Sequence, residues 1–181
     1  MDIKDRKKEL RREVKALKAL MDEASRDVAS RVIMADLESS AEFRTAETVL
    51  AYWSMPDEVG THEAIASWAA VKRVVLPVVA GDVLELREYR PSCMVEGYRG
   101  ILEPSPESSA VLPSEVDLAI VPGVAFTPDG CRMGRGKGFY DKLLPELQCP
   151  LFGVAFSCQI FDAIPVESHD SKLDKVFTDA K

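Results

Sequence analysis

Three cations alternate with glycines in the segment Arg132, Met133, Gly134, Arg135, Gly136, Lys137, Gly138, and Asp141 follows where a helical run begins. Glycine lets backbone approach an anion closely, and Arg or Lys side chains between the glycines neutralise it. Unpartnered N–H groups at the start of the next helix add partial positive charge. The combination suits phosphate. Five of the ten glycines fall within residues 121–144. The spacing nevertheless excludes two familiar phosphate loops. A P-loop requires Ser or Thr after its Lys, whereas Gly138 follows Lys137, and the dinucleotide fingerprint places its third glycine one residue later. Glycines alone would equally make a tight turn, but a turn has no need of three cations within residues 132–137. Asp141 has two readings of similar weight: a complement to the helix dipole, or a ligand for Mg²⁺ carried on a nucleotide. Asp174 is the second carboxylate to consider.

The elements around this segment follow from periodicity. An apolar strand over 117–121 leads into it and a helix over 140–147 leads out. Ile3, Leu10, Val14, Leu17 and Met21 predict an amphipathic helix over 3–21. Its cations Lys7, Lys8, Arg11 and Arg12 suit a solvated face, or one that folds back over an anion. A second helix over 25–37 is expected to bury Val28, Val32, Ile33 and Leu37. Strands are predicted at 48–53, 73–79, 83–89, 151–156 and 175–177, with a helix over 61–71 capped by Thr61. Pro77 signals an edge or an irregularity within its strand. Residues 90–115, broken by prolines and glycines, read as a long surface connection.

Strands alternating with helices predict an α/β fold: one domain over residues 1–181, a largely parallel sheet with helices on both faces, and a Rossmann-like three-layer architecture preceded by two N-terminal helices. A net charge of −7 without a basic block excludes a nucleic-acid footprint. No run is apolar enough for a membrane span, and the charged N-terminus lacks a signal-peptide core. The four cysteines lack metal-site spacing, which fits reduced thiols in a cytoplasmic protein, with Cys131 a bystander in the loop. His62 and His169 read as surface groups outside the chemistry.

The stretch PGVAFTPDGCRMGRGKGFYDKLL resembles the signature of the 5-formyltetrahydrofolate cyclo-ligase family, also called methenyltetrahydrofolate synthetases. KKELRREV, YWSMPDEVGT, GILEP and HDSKLDKV resemble that family's opening, middle and tail segments, so the likeness spans nearly the whole chain in order. The glycine-loop signature is the specific part.

The resemblance implies a cytoplasmic, monomeric enzyme that uses ATP and Mg²⁺ to close 5-formyltetrahydrofolate into 5,10-methenyltetrahydrofolate. Its partners would be folate and nucleotide, without nucleic acid or membrane. By the same resemblance the nucleotide meets Lys7, Lys8, Glu9, Leu10 and Arg11, and then Arg132, Met133, Gly134, Arg135, Gly136, Lys137, Gly138, Phe139 and Tyr140. The folate meets Trp53 and Glu58, together with Arg135, Gly136, Lys137, Gly138 and Phe139. Arg132, Arg135 and Lys137 act on the transferring phosphoryl group, and Asp141 and Asp174 hold the metal. The chain departs from the family pattern at Trp53, where a smaller aliphatic residue is common, and at Phe139, which replaces a tyrosine.

Two rival readings stand beside this one. A non-catalytic nucleotide-binding module would keep the cationic loop and have no use for Trp53 and Glu58. An isomerase-like or CoA-transferase-like enzyme on a similar scaffold needs an acid/base pair or nucleophilic Glu that the sequence does not locate.

Overall fold

Short apolar strands and amphipathic helices assemble into a mixed α/β fold in the computed structural model, which describes residues 2–167 and 170–180. Helices α1 (Ile3–Ala19), α2 (Glu23–Ser39) and α3 (Ala41–Thr45) precede β1 (Thr48–Leu50). After β1 come α4 (His62–Trp68) and a hairpin of β2 (Arg73–Ala80) and β3 (Val83–Glu88). The proline-rich stretch holds β4 (Met94–Glu96), β5 (Leu102–Pro104) and β6 (Ala110–Val111). Then follow β7 (Leu118–Val121), β8 (Ala125–Phe126), β9 (Arg132–Met133), α5 (Phe139–Leu143), β10 (Leu151–Ala155) and β11 (Lys175–Thr178).

The main sheet runs β11-β10-β7-β1-β2-β3-β6. Pairings from β11 through β2 are parallel, and β3 and β6 extend the sheet antiparallel. Alternate residues feed opposite faces, as the period of two requires. Val49, Val74, Leu76, Leu118, Ile120, Phe152 and Val154 pack with Ile33 and Leu37 of α2 and Ile65 and Trp68 of α4. Leu50, Val75, Ala119, Val121 and Leu151 pack on the other face with Leu143, Leu144 and Leu147. The expected helix–sheet–helix layering is therefore present. A smaller cluster of Val14, Val124, Ala125, Met133 and Ile164 fastens α1 to the glycine-rich segment.

The chain builds the sheet one way from β1 through β2 and β3, then returns to β7 on the other side of β1 and builds away through β10 and β11. A crevice opens outside the carboxyl ends of β1 and β7, where such a reversal favours ligands. The segments leaving those two ends are residues 51–61 and 122–138, which hold Glu58 and the glycine loop.

Several local expectations change. The α2 stripe is rotated: Val28 and Val32 are exposed, while Ala29, Ser30, Ile33, Met34 and Leu37 face inward. Ser30 Oγ accepts the Gly60 N–H at 2.9 Å, so the helix seats small residues against the loop after β1. Thr61 does not cap α4 with its side chain. Its hydroxyl donates to the Tyr52 carbonyl at 2.6 Å and accepts from Ser54 N at 3.2 Å, closing that loop instead. Pro77 sits inside β2, opposite Leu86 of β3 and beyond the last β1 partner, Val75, so its missing N–H breaks no ladder bond to β1. Residues 90–115 are not a plain connection, since β4 pairs with β5 and β6 joins the main sheet.

Candidate active site

The glycine segment is more elaborate than strand, loop and helix. Between β7 and α5 the chain makes the β8–β9 hairpin, which carries Arg132 and Met133 in its second strand. Gly130 permits its turn: φ is +94°, and a Cβ there would lie 2.1 Å from the Leu173 carbonyl oxygen. Cys131 is half-buried beside this turn, its N–H donating to Thr127 Oγ1. Beyond β9, Gly136 and Gly138 take φ of +92° and +73°, backbone that L side chains rarely adopt. Those two glycines carry Lys137 between them, exposed and without a hydrogen bond or ion pair among the described residues.

A cavity of about 270 Å³ lies against this loop. Its walls include Lys7 and Arg11 of α1, Tyr52, Trp53, Met55 and Glu58 after β1, and Pro77, Val79 and Leu84 of the β2–β3 hairpin. Pro122, Gly123 and the run from Arg132 through Asp141 supply the floor, and Tyr98, Arg99, Ile101, Leu102 and Glu103 overhang it. Residues far apart in sequence and expected to share one site thus meet in one cavity.

Helix α1 reaches the site through a single stripe. Positions 7, 11, 14 and 18 step by four, three and four residues, which aligns them on one helix face. Lys7 Nζ pairs with Glu167 at 2.7 Å and Asp170 at 3.1 Å. Burial lowers the Lys7 pKa, but those two carboxylates outweigh it and hold the ammonium above its ordinary value. Arg11 Nε donates to the Gly134 carbonyl at 3.0 Å, fixing the loop. Val14 is fully buried. Lys18, with only 7 % of its side chain exposed, donates to the Asp57 carbonyl at 2.7 Å and its carboxylate at 2.6 Å. Lys8 and Glu9 lie exposed off this stripe, and Leu10 packs on the α1 cluster. None of these three members of the expected nucleotide set lines the cavity, whereas Lys7 and Arg11 do.

The two loops of the crevice are tied together by charge. Arg135 Nη2 contacts Asp57 at 2.8 Å and Glu58 at 2.9 Å, and its Nε reaches Glu58 at 3.1 Å. Glu58, with a side chain only 10 % exposed, also accepts the Met55 N–H at 2.9 Å. Burial pushes the Asp57 carboxyl up, but Lys18 and Arg135 outweigh it and hold it below the usual range. Lys18 was not singled out from sequence. Its place on the 7, 11, 14, 18 stripe was the available signal.

Arg132 is enclosed, with 5 % of its side chain exposed. Its Nε donates to the Pro122 carbonyl at 2.8 Å, Nη1 contacts Asp141 at 3.1 Å, and the guanidinium lies 5.3 Å from the Tyr140 ring centroid. Desolvation raises the Tyr140 hydroxyl well above its ordinary pKa. Arg132 thus braces the loop and Asp141 while it also lines the cavity. Trp53 stacks on the exposed His62 at 4.0 Å between centroids and lies 6.0 Å from Tyr89. His169 lies outside the described residues.

Asp174 does not join Asp141. Its carboxylate accepts the Leu151 N–H at 2.7 Å and its own N–H donates to the Leu151 carbonyl at 2.9 Å. Leu151 begins β10, so Asp174 sits at the amino end of the parallel strands, opposite the crevice. Asp174, expected from the resemblance as the second metal ligand, is thus bound to the backbone of Leu151 and is not among the residues that line the cavity. Asp174→Ala is expected to cost about 1–2 kcal/mol and lower Tm by roughly 3–6 °C. ATP affinity, measured by calorimetry, should be unchanged, and a lost nucleotide site would show this placement to be wrong.

Comparison with known proteins agrees with the architecture. The 5-formyltetrahydrofolate cyclo-ligase family matches residues 3–179. The 5-formyltetrahydrofolate cyclo-ligase of Escherichia coli is 39% identical over 145 residues, covering 75% of this chain and 80% of the relative. The protein of the same name from Haemophilus influenzae is 31% identical over 177 residues, covering 93% and 95%. The solved 5,10-methenyltetrahydrofolate synthetase of Aquifex aeolicus superposes with a TM-score of 0.89 at 34% identity, covering 97% of this chain and 90% of that one. The chain belongs to the 5-formyltetrahydrofolate cyclo-ligase family.

Proposed function

We propose that the protein is an ATP-dependent cyclo-ligase that converts 5-formyltetrahydrofolate to 5,10-methenyltetrahydrofolate, with ADP and phosphate as co-products, working as a cytoplasmic monomer. The observation that carries this reading is the meeting of the cationic loop Gly134–Gly138 with the largely enclosed Glu58 in one aromatic-walled cavity. A bare phosphate-binding module would have no use for the second half of that cavity.

The chemical problem is an unreactive carbonyl. An N5-formyl group is amide-like and resists attack by the nearby N10 amine. In the proposed route the formyl oxygen attacks the γ-phosphorus of ATP. A new O–P bond forms, the bond from Pγ to the bridging oxygen breaks, and ADP leaves. N10 then attacks the resulting iminium carbon and loses its proton, and the C–O bond to phosphate breaks. No protein nucleophile takes part, so the enzyme's contribution is alignment and charge stabilisation.

Residues divide accordingly. Lys137 faces the transferring phosphoryl group, with backbone N–H groups of the Gly134–Gly138 loop beside it. Arg135 joins it once released from Glu58. Arg132 braces the loop, and Arg11 holds the Gly134 carbonyl. Glu58 takes the pterin's amino and ring N–H groups, with Trp53 and Phe139 along its ring system. Asp141 fits Mg²⁺ that arrives with the nucleotide. It lines the cavity on the first turn of α5 and is partly exposed, and a nucleotide-borne Mg²⁺ needs only one or two protein carboxylates. Bound there, Mg²⁺ would neutralise phosphate charge.

The test combines protein, ATP, Mg²⁺ and 5-formyltetrahydrofolate and follows the near-ultraviolet absorbance of the methenyl product. ATP-dependent growth of that absorbance is expected. Its absence with folded protein would overturn the assignment.

A further inference from the structure

The hairpin formed by β4 and β5 projects its tip, residues 97–101, over the cavity mouth. Arg99 at that tip is the one non-glycine residue with positive φ among the described residues, at φ 59° and ψ 27°. A side chain bearing a Cβ takes this conformation at a cost, and such positions concentrate at functional sites. Its guanidinium carbon lies 5.4 Å from the Tyr98 ring centroid. Tyr98 in turn meets Phe139 edge-on, with centroids 6.1 Å apart at 85°. The tip thus leans on the first residue of α5, beside the loop assigned to both substrates.

Charge accounting isolates Arg99. The basic residues lining the cavity are Lys7, Arg11, Arg99, Arg132, Arg135 and Lys137. Lys7, Arg132 and Arg135 are ion-paired, and Arg11 is bonded to the Gly134 carbonyl. Arg99 and Lys137 make no hydrogen bond or ion pair among the described residues. Lys137 belongs to the phosphate loop. Arg99 is left as a strained, exposed cation on the opposite lip.

We propose that the Tyr98–Arg99 tip is the subsite for the arylamide–glutamate end of the folate. Tyr98 and Phe139, in edge contact with each other, form one aromatic wall against which the aryl ring lies, and the Arg99 guanidinium pairs with the tail carboxylates. This rests on the functional reading above. The arrangement suits the ligand, because a planar guanidinium matches a carboxylate bidentately and aromatic faces hold a flat ring at low entropic cost. Exposure at the mouth lets a longer, more anionic tail run into solvent past the same cation.

The test uses Arg99→Gly, which keeps the left-handed turn without its strain, and Arg99→Lys, which keeps the charge. Calorimetry compares 5-formyltetrahydrofolate with 5-formyltetrahydropteroate, which lacks the glutamate. For Arg99→Gly, affinity for the complete folate should fall about 5–20-fold, affinity for the pteroate analogue should hold, and the KM for ATP should not move. Arg99→Lys should recover part of the loss. Equal weakening of both folates, weakening of neither, or a loss confined to ATP overturns the subsite. Wild-type protein that binds neither folate overturns the functional reading, and the subsite with it.

Discussion

Lys137→Ala should lower kcat by about 10²–10³-fold, while Tm moves by no more than about 1–2 °C. The asymmetry follows from where the side chain is. Lys137 is exposed, and no protein group among the described residues depends on it for a hydrogen bond or counter-charge. Its removal therefore leaves nothing buried and unsatisfied, which is the usual source of a large stability loss. What disappears is a positive charge on a loop held in position by the Arg11 bond to Gly134 and the Arg132 bond to Pro122. A charge prearranged where negative charge shifts in the transition state acts mainly on kcat, because under the proposed function the ground-state nucleotide would keep its other contacts. Methenyl formation under saturating substrates, paired with a thermal melt, reads both quantities. A kcat within a few-fold of wild type would remove Lys137 from the phosphoryl chemistry. A collapse of Tm would instead make it a structural residue.

What the sequence disclosed divides along physical lines. Spacing within one element was readable. Gly134, Gly136 and Gly138 announced backbone that only glycine takes easily, and two of the three have positive φ. Lys7 and Arg11 were readable from spacing only as members of a basic cluster with Lys8 and Arg12, and the resemblance is what pointed to a nucleotide there. Lys18 lies on the same stripe as Lys7 and Arg11, which the sequence did offer, but its burial and its partner Asp57 are facts of tertiary structure. The α2 stripe failed for a related reason. Val28 and Val32 look like core by hydrophobicity, but the small residues Ala29 and Ser30 are what the close approach of the Gly60 loop requires. The hairpin strands β8 and β9 are two residues each, too short for any periodicity to register. The β4–β5 flap was hidden for the same reason among prolines and glycines. Asp174 shows the remaining limit: a carboxylate's partner, here the backbone of Leu151, is a fact of tertiary structure.

Glu58→Gln should raise the KM for 5-formyltetrahydrofolate by about 30–100-fold and leave the KM for ATP within about 2-fold. Glu58 is the least exposed carboxylate of the Arg135 network, and both of its oxygens are engaged: Oε1 by Arg135 and Oε2 by the Met55 N–H. A pterin presenting its amino and ring N–H groups needs acceptors, so it must take Oε1 from Arg135 or share it. Arg135 keeps its 2.8 Å contact to Asp57 during that exchange and is not left without a counter-charge. Gln conserves shape but turns one acceptor into a donor, which then faces the Met55 N–H at one position, or the Arg135 guanidinium and the pterin N–H groups at the other. Each encounter is repulsive, and the lost negative charge weakens the pairing with the pterin N–H groups in either orientation. The part of the cavity proposed for ATP would lose nothing, since a looser Arg135 is nearer to the state in which it would meet phosphate. Steady-state KM values for each substrate separate the two halves. Equal rises in both would mean that Glu58 only supports the loop, and no rise in either would place the pterin elsewhere. The predicted split instead makes Glu58 the point at which folate binding frees Arg135 for the phosphoryl group, so that one substrate completes the site for the other.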